Sequence, residues 1–230
     1  MRINLSTKGV TRTLAVVTAV LVVLHLVLQT LKWAGGYDSV LGLCPIFDLN
    51  NEFNIPTLYT FLLMLMSSLL AAVITYHARL TGQPFYAQWA GLSVVFSLVA
   101  VDEILEIHEK WSVPLREHFG FTGFFYDAWM IPYAALGAVL LLLLYFRFFI
   151  RIVCNQRLML LALGFYLSGV LILESFGGWY RSSTGEDGDI IFMMFTTVEE
   201  ILEMAGLVIF IHALLDYINK TVKEIVINWV

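Results

Sequence analysis

Between Leu14 and Leu31 the chain carries no Asp, Glu, Lys or Arg, and the same holds for "WAGLSVVFSLVA" from Trp89 to Ala100. A run of about 18 apolar residues is long enough to cross the hydrocarbon core of a bilayer as an α-helix. There each backbone N–H and C=O has to be satisfied within the segment, which leaves the helix as the default solution. Several runs in this sequence approach or exceed that length. Only 13% of the residues are charged, against about a quarter in soluble domains, and the mean hydropathy is +0.83. These features predict an all-α, polytopic transmembrane helix bundle, with residues 1–230 forming a single integral membrane domain. The first run is followed by "QTLKWAGGYDSV", which is a poor cleavage site, and it is longer than a signal-peptide core, so it reads as a retained helix.

The apolar runs give six spans, roughly 11–31, 56–78, 86–108, 126–149, 157–177 and 190–214. Pro56 suits the first turn of the second span, with Asn54 as its N-cap. Pro132, inside the fourth, is expected to kink it. Lys and Arg set the orientation. Arg2, Lys8, Arg12, Arg79, Arg147, Arg151, Arg157, Lys220 and Lys223 fall on one side, whereas Lys32, Lys110, Arg116 and Arg181 fall on the other. The positive-inside rule therefore places both termini in the cytoplasm. Trp33, Trp111, Trp129 and Trp179 then lie near the outer interface, and Tyr76, Trp89, Tyr145 and Tyr217 near the inner one, as aromatic belts require. Cys44 and Cys154 fall on opposite sides of the membrane, which excludes a disulfide framework. The basic residues are scattered, which argues against nucleic-acid binding.

Acids follow a different pattern. Asp216 and Glu224 are on the inner side, while the remaining sixteen of eighteen lie in outer loops or the outer halves of helices. Some, such as those of "TGEDGD" at 184–189, belong to a solvated loop. Others do not. "VDEILE" at 101–106 has a near copy, "VEEILE" at 198–203, identical at five of six positions. The first ends the third span and the second lies about two turns into the sixth. Antiparallel helices would bring both to a similar depth, roughly 10–15 Å below the outer interface at 1.5 Å per residue. At 100° per residue Asp102, Glu106 and Glu109 form one stripe, facing Glu199 and Glu203, with Glu103 and Glu200 on the flanks. His108 points elsewhere on the wheel, although at a helix end it can turn toward the cluster. Glu174, in "LILESFGG", has a comparable depth, and His25, in "LVVLHLVLQ", is the histidine well inside the first span.

An intramembrane carboxylate costs about 2.5–3.5 kcal/mol on insertion scales. So many must face inward and be neutralised, and no Lys or Arg is expected deep in a helix beside them. Divalent metal ions or shared protons are the remaining solutions. Carboxylates with histidine on antiparallel helices resemble in chemistry the di-metal sites of ferritin-like bundles, although the repeated element here is Glu-x-x-Glu at 103/106 and 200/203 in place of Glu-x-x-His. The candidate metal ligands are Asp102, Glu103, Glu106, His108, Glu109, Glu174, Glu199, Glu200 and Glu203, with His25, Asp48 and Glu52 as further candidates. Fe, Mn, Zn, Mg and Ca remain equally open as the ion. Asp48 and Glu52 belong to "FDLNNEFNIPT" at 47–57, whose alternating oxygen donors look loosely like the start of a calcium loop but lack its glycine and distal glutamate.

Three motifs, FDxxxExxIPT at 47–57, DExxxxHE at 102–109 and EExLEM at 199–204, together resemble a family of bacterial polytopic membrane proteins. The resemblance implies that the three segments build one site in a bacterial cytoplasmic membrane, and it implies no particular reaction.

Plainer readings stand beside these. The acids could form a structural network of shared protons. Glu109, His108 and Glu174 could be interfacial helix ends, and His25 a core histidine with satisfied ring nitrogens. Asp48 and Glu52 could be ordinary loop residues. Asp127 needs no role beyond favouring a helix N-terminus. "LLMLM" and "FMMF" read as lipid-facing or core packing. His77, His118 and His212 receive no role.

Three function classes follow. The first is a metal-binding membrane protein, in one form an enzyme acting on a membrane-soluble small molecule, with the metal activating water or oxygen and a free glutamate as base. The second is a proton or divalent-cation transporter, disfavoured by the apolar inner halves of the helices and by the absence of a fitting inverted repeat. The third is a non-catalytic subunit of a membrane complex.

Overall fold

A computed structural model describes residues 6–36, 39–151, 155–186 and 188–221. Arg2, Cys154, Asp187, Lys223 and Glu224, used above, lie outside the described residues. All regular structure among the described residues is helical.

Helix α1 (Thr7–Gly35) starts on Ser6, whose Oγ accepts the Gly9 N–H, and stops at Gly36 in the left-handed region at φ 68°. A short α2 (Cys44–Phe47) leads to α3 (Ile55–Leu80), where Asn54 Oδ1 accepts the Thr57 N–H at 3.1 Å and Pro56 occupies the first turn, as the sequence predicts. Helix α4 (Tyr86–Leu105) returns beside α3. Ser68 Oγ is 2.7 Å from both the Ser93 carbonyl and Ser97 Oγ, the small polar contact that lets membrane helices approach closely.

Helix α4 stops at Leu105, short of the expected 108. Glu106 adopts φ 50° and ψ 40°, a left-handed conformation unusual for a residue with a Cβ. Beyond it an amphipathic helix not anticipated from sequence, α5 (Ile107–Phe119), sets off anew. It exposes Ile107, Trp111, Val113 and Phe119, the pattern of a helix lying along an interface.

The fourth run is also shorter than expected at its start. A 3₁₀ turn (Gly123–Phe125) precedes α6 (Met130–Leu140), which passes through a π turn (Leu141–Tyr145) into α7 (Phe146–Arg151). Pro132 therefore lies in the first turn, where it has no intrahelical N–H bond to break, and the expected proline kink is replaced by a π irregularity further on. The fifth run comprises α8 (Gln156–Leu167), a second π turn (Ser168–Leu173) and α9 (Glu174–Thr184). Helix α10 (Ile190–Thr221) completes the bundle.

Five helical segments are long and apolar enough to cross a membrane, namely Thr7–Gly35, Ile55–Leu80, Tyr86–Leu105, Gln156–Thr184 and Ile190–Thr221, and Met130–Leu140 is a shorter apolar helix. Helix α10 is the central pillar, packed against α1, α3, α8, the second π turn and α9. Half of its apolar window is buried, against about a fifth in α1. Val16, Val20, Val23 and Val27 of α1 face outward instead, as expected for a side in contact with lipid.

Two glycines set the approach of the fifth segment to α10. A Cβ at Gly206 would lie 2.8 Å from Tyr166 N and 2.9 Å from Ala162 O. A Cβ at Gly169 would lie 2.7 Å from Glu203 Cγ and 2.9 Å from the Glu199 carbonyl. Backbone thus meets backbone at the depth of the repeated acid motif.

Candidate functional site

A cavity of about 650 Å³ opens between α4, the α6–α7 rod, the α8–α9 segment and α10. Its two ends differ in chemistry. Toward one end it is lined by Leu92, Val95, Leu140, Leu141, Phe149 and Leu163. At the other end α4 contributes Asp102 and Glu103, and α5 contributes His108 and Glu109. Glu174 and Arg181 come from α9, Glu199, Glu200 and Glu203 from α10, and Glu52 from the loop before α3.

The near copies at 102–103 and 199–203 therefore meet across one space. Glu103, Glu200 and Glu203 lie within electrostatic reach of one another and of Glu52. Glu199 lies beside Glu174. His108 is turned into the cluster, with its Nδ1 2.7 Å from Asp102 Oδ2, and Asp102 Oδ1 also accepts the Tyr133 hydroxyl at 2.9 Å. Trp129 Nε1 donates to Glu174 at 3.3 Å. The His108, Trp129 and Tyr133 rings pack in series, His108 tilted against Trp129 with centroids 4.6 Å apart and Trp129 edge-on to Tyr133 with centroids 5.3 Å apart.

Three candidates are placed elsewhere. The left-handed turn carries Glu106 out of the expected stripe and into an adjoining groove beside Pro45, Asn51 and Phe53, which shares Glu52 with the cavity. Asp102, Glu106 and Glu109 are thus not one helical face, because the helix that would have aligned them ends between the first and the second. His25 is fully buried, and both ring nitrogens are engaged by protein. Its Nδ1 accepts the Leu49 N–H at 3.1 Å. Thr197 Oγ1 already donates to the Met193 carbonyl, so His25 Nε2–H must donate to that oxygen, at 3.0 Å. That fixes a neutral tautomer with no nitrogen free for an ion. Asp48 folds back on its own loop, accepting from Asn50 N and Asn51 Nδ2, with Oδ1 3.4 Å from His25 Nδ1. Both serve the join between α1, the 48–49 turn and α10.

Two residues receive a role that the sequence did not reveal. Arg181 reaches from α9 to form an ion pair with Asp127, and it lies 4.0 Å from Glu174. It is the basic side chain that the sequence seemed to withhold from the acids. Asp127 is buried and does more than face a helix dipole, since it anchors that guanidinium. Gly178 permits the arrangement, because a Cβ there would lie 2.6 Å from Asp127 Oδ2. The aromatic faces of Tyr126 and Phe192 flank the guanidinium.

Outside the membrane-spanning segments the groups at the cavity mouth are shifted in titration. Burial pushes the Glu52 carboxyl up to about 7, assisted by the charge of Glu109 and eased by His108 and Thr57. Burial also raises Glu109, with Glu174 and Glu106 adding to it and His108 opposing. Burial alone would lower His108, but the hydrogen bond and charge of Asp102, together with Glu103 and Glu109, outweigh it, and its imidazole is raised.

Among the described residues no group of three or more His, Cys, Asp or Glu side chains is placed to hold a metal ion as the chain stands. The acids ring a space and do not converge on one point within it.

A family model described as Domain of unknown function (DUF8692) matches residues 13–218. The chain belongs to that family. The DUF8692 match runs from α1 into α10 and so takes in every residue of the acid-lined cavity. No curated protein and no solved structure matches the chain.

Proposed function

We propose that this DUF8692 protein is a six-span protein of the bacterial cytoplasmic membrane with both termini inside. In this reading its outward-facing carboxylate/histidine cluster binds one or two divalent cations beside a membrane-soluble substrate. The fourth span, which adds to the five long helical segments, is the α6–α7 rod, which together with its π turn covers 130–151. The excess of Lys and Arg on the side of the termini supports the orientation.

One observation carries the reading: the outer end of the cavity is lined by eight carboxylates against one guanidinium and one imidazole. Arg181 is already divided between Asp127 and Glu174. The remaining acids need cations from outside the chain or shared protons. A hard ion such as Mg²⁺ suits this geometry, because it keeps several of its waters and takes one or two carboxylates from protein. It therefore needs no preformed three-ligand cage. His108, held by Asp102, and Glu103 are the groups available for proton transfer to a substrate. The apolar inner end of the cavity speaks for a substrate pocket and against a conduction path.

The test is metal analysis of protein purified without chelator. Wild type and Glu106→Ala should retain about one or two divalent ions per chain, and Glu103→Ala and Glu203→Ala should lose them. A wild-type protein without stoichiometric metal, or a Glu203→Ala protein that keeps it, overturns the metal reading.

A further inference from the structure

Glu203 is 9% exposed, lines the cavity, and has no hydrogen-bond partner among the described residues. A buried carboxylate without a donor is costly, and the charged groups that bear on it most, Glu200 and Glu103, are acids that offer no compensating charge. A ligand in the cavity that carries N–H donors would supply the missing partner. Two further features bear on what that ligand is.

The first is shape. Below the acids, Ala134, Gly137, Ala138 and Leu141 follow one another at helical spacing along one wall, with Leu92 and Val95 of α4 lining it too. A Cβ at Gly137 would meet nothing within 4 Å. From Tyr133 to Phe149 the rod rises about 24 Å at 1.5 Å per residue, more than the depth of one leaflet. A bare ion at the acids leaves this apolar length unfilled, whereas a hydrocarbon chain fills it. The second is the composition of the outer end, where the rings of Trp129, Tyr133 and Tyr166 join the carboxylates in the lining. Acids with aromatic faces suit an organic ammonium.

We infer that the cavity takes a single-chain amphiphile ending in a primary ammonium group, with the chain along α6 and the ammonium among Glu203, Glu200 and Glu103. A primary ammonium has three N–H donors, one for each of these carboxylates, and it attracts all three. The inference rests on the cavity being the ligand site but does not need a metal within it.

The experiment uses the full chain in lipid nanodiscs, depleted of metal, with dodecylamine, dodecanol and dodecanoate as probes. Binding is read from the fluorescence change that is lost in Trp129→Phe. Dodecylamine should bind about tenfold or more tighter than either other probe. Affinity within the alkylamines from octyl to dodecyl, referred to the free aqueous amine, should rise about threefold to fourfold per methylene. Glu203→Gln should remove the preference for amine and leave dodecanol binding unchanged, while Ala138→Trp should flatten the dependence on chain length. The headgroup comparison in wild type needs no variant and holds even if either variant misfolds. Equal binding of dodecanoate or dodecanol, or no dependence on chain length, overturns the inference. Stoichiometric metal without a preference for amine overturns it and leaves the metal site standing. A preference for amine in protein that never holds metal supports it and removes the metal site instead.

Discussion

His108 donates its Nδ1–H to Oδ2 of Asp102 across 2.7 Å, six residues back and beyond the break in the helix. The bond closes the left-handed turn at Glu106 and aims the imidazole into the cavity. Its strength depends on the charge of His108. The imidazole is raised above its ordinary value in the folded protein, so its contribution is complete below the unfolded value of about 6.5 and is lost as pH rises through the folded value. Asp102→Asn should therefore cost more thermal stability in detergent at about pH 6 than at about pH 9. A stability gap that is the same at both ends would show that the pair is not an ion pair.

The turn itself can be probed. A non-glycine residue in the left-handed region is disfavoured by about 1–2 kcal/mol, and Glu106 stands there at φ 50°. Glu106→Gly removes that strain, offset in part by the greater freedom of the unfolded chain. It should leave the melting temperature unchanged or raised, with Glu106→Ala no more stable than wild type. Neither change should abolish ligand or metal binding, because Glu106 lines the adjoining groove and not the cavity itself. Loss of binding in both variants would return Glu106 to the site.

The long apolar helices were legible because an apolar run announces a helix of membrane-crossing length without regard to its partners. The Asn54 cap and Pro56 were legible because capping is local. The meeting of 102–103 with 199–203 was legible because a repeated acid motif at matched depth has few places to go. The break at Glu106 was not, since glutamate is a good helix former and nothing in "DEILEIHE" encodes a left-handed residue. Contacts distant in sequence hold it, among them Tyr133 on Asp102 and Trp129 on the His108 ring. Arg181 was hidden for a similar reason. Counted along the chain it is a residue of the outer interface, but the π turn at Ser168–Leu173 shifts the register of everything beyond it, and Gly178 lets Asp127 approach.

His25 supplies a structural control for the metal reading. Removing it leaves the Leu49 N–H without its acceptor and takes the Nε2–H from Thr197, both in buried surroundings. Each lost partner costs about 1–3 kcal/mol. His25→Ala should lower the melting temperature markedly yet leave metal stoichiometry in the folded fraction unchanged. Loss of metal at unchanged stability would contradict the assigned tautomer.

The glycine crossing predicts a contrast between two conservative changes. At Gly206 an added methyl meets the backbone of Tyr166 and Ala162, which is unable to move aside as a side chain would. Gly206→Ala should cost about 1–3 kcal/mol as an overpacked contact. At Gly137 the same methyl projects into open space, and helix propensity favours alanine by about 1 kcal/mol. Gly137→Ala should be neutral or stabilising. Paired thermal melts in one detergent check both, and equal effects would show that α10 and α8 are not in close backbone contact.

Glu52 gives the clearest pH signature at the cavity mouth. Its folded carboxyl is raised to about 7 from 4.5, first by burial and then by Glu109. Between these two values the folded protein holds a proton that the unfolded chain has released, so stability falls as pH rises across that window and stays lower above it. Glu52→Gln cannot ionise and avoids the loss. Its melting temperature should match that of wild type at about pH 4.5 and exceed it at about pH 8. Millimolar Mg²⁺ should narrow the gap at the higher pH if the cation rests against these carboxylates, since it then favours the ionised form that only the wild type has. A gap independent of pH would mean that Glu52 titrates alike in the folded and unfolded chain and that the mouth is more hydrated than its burial indicates.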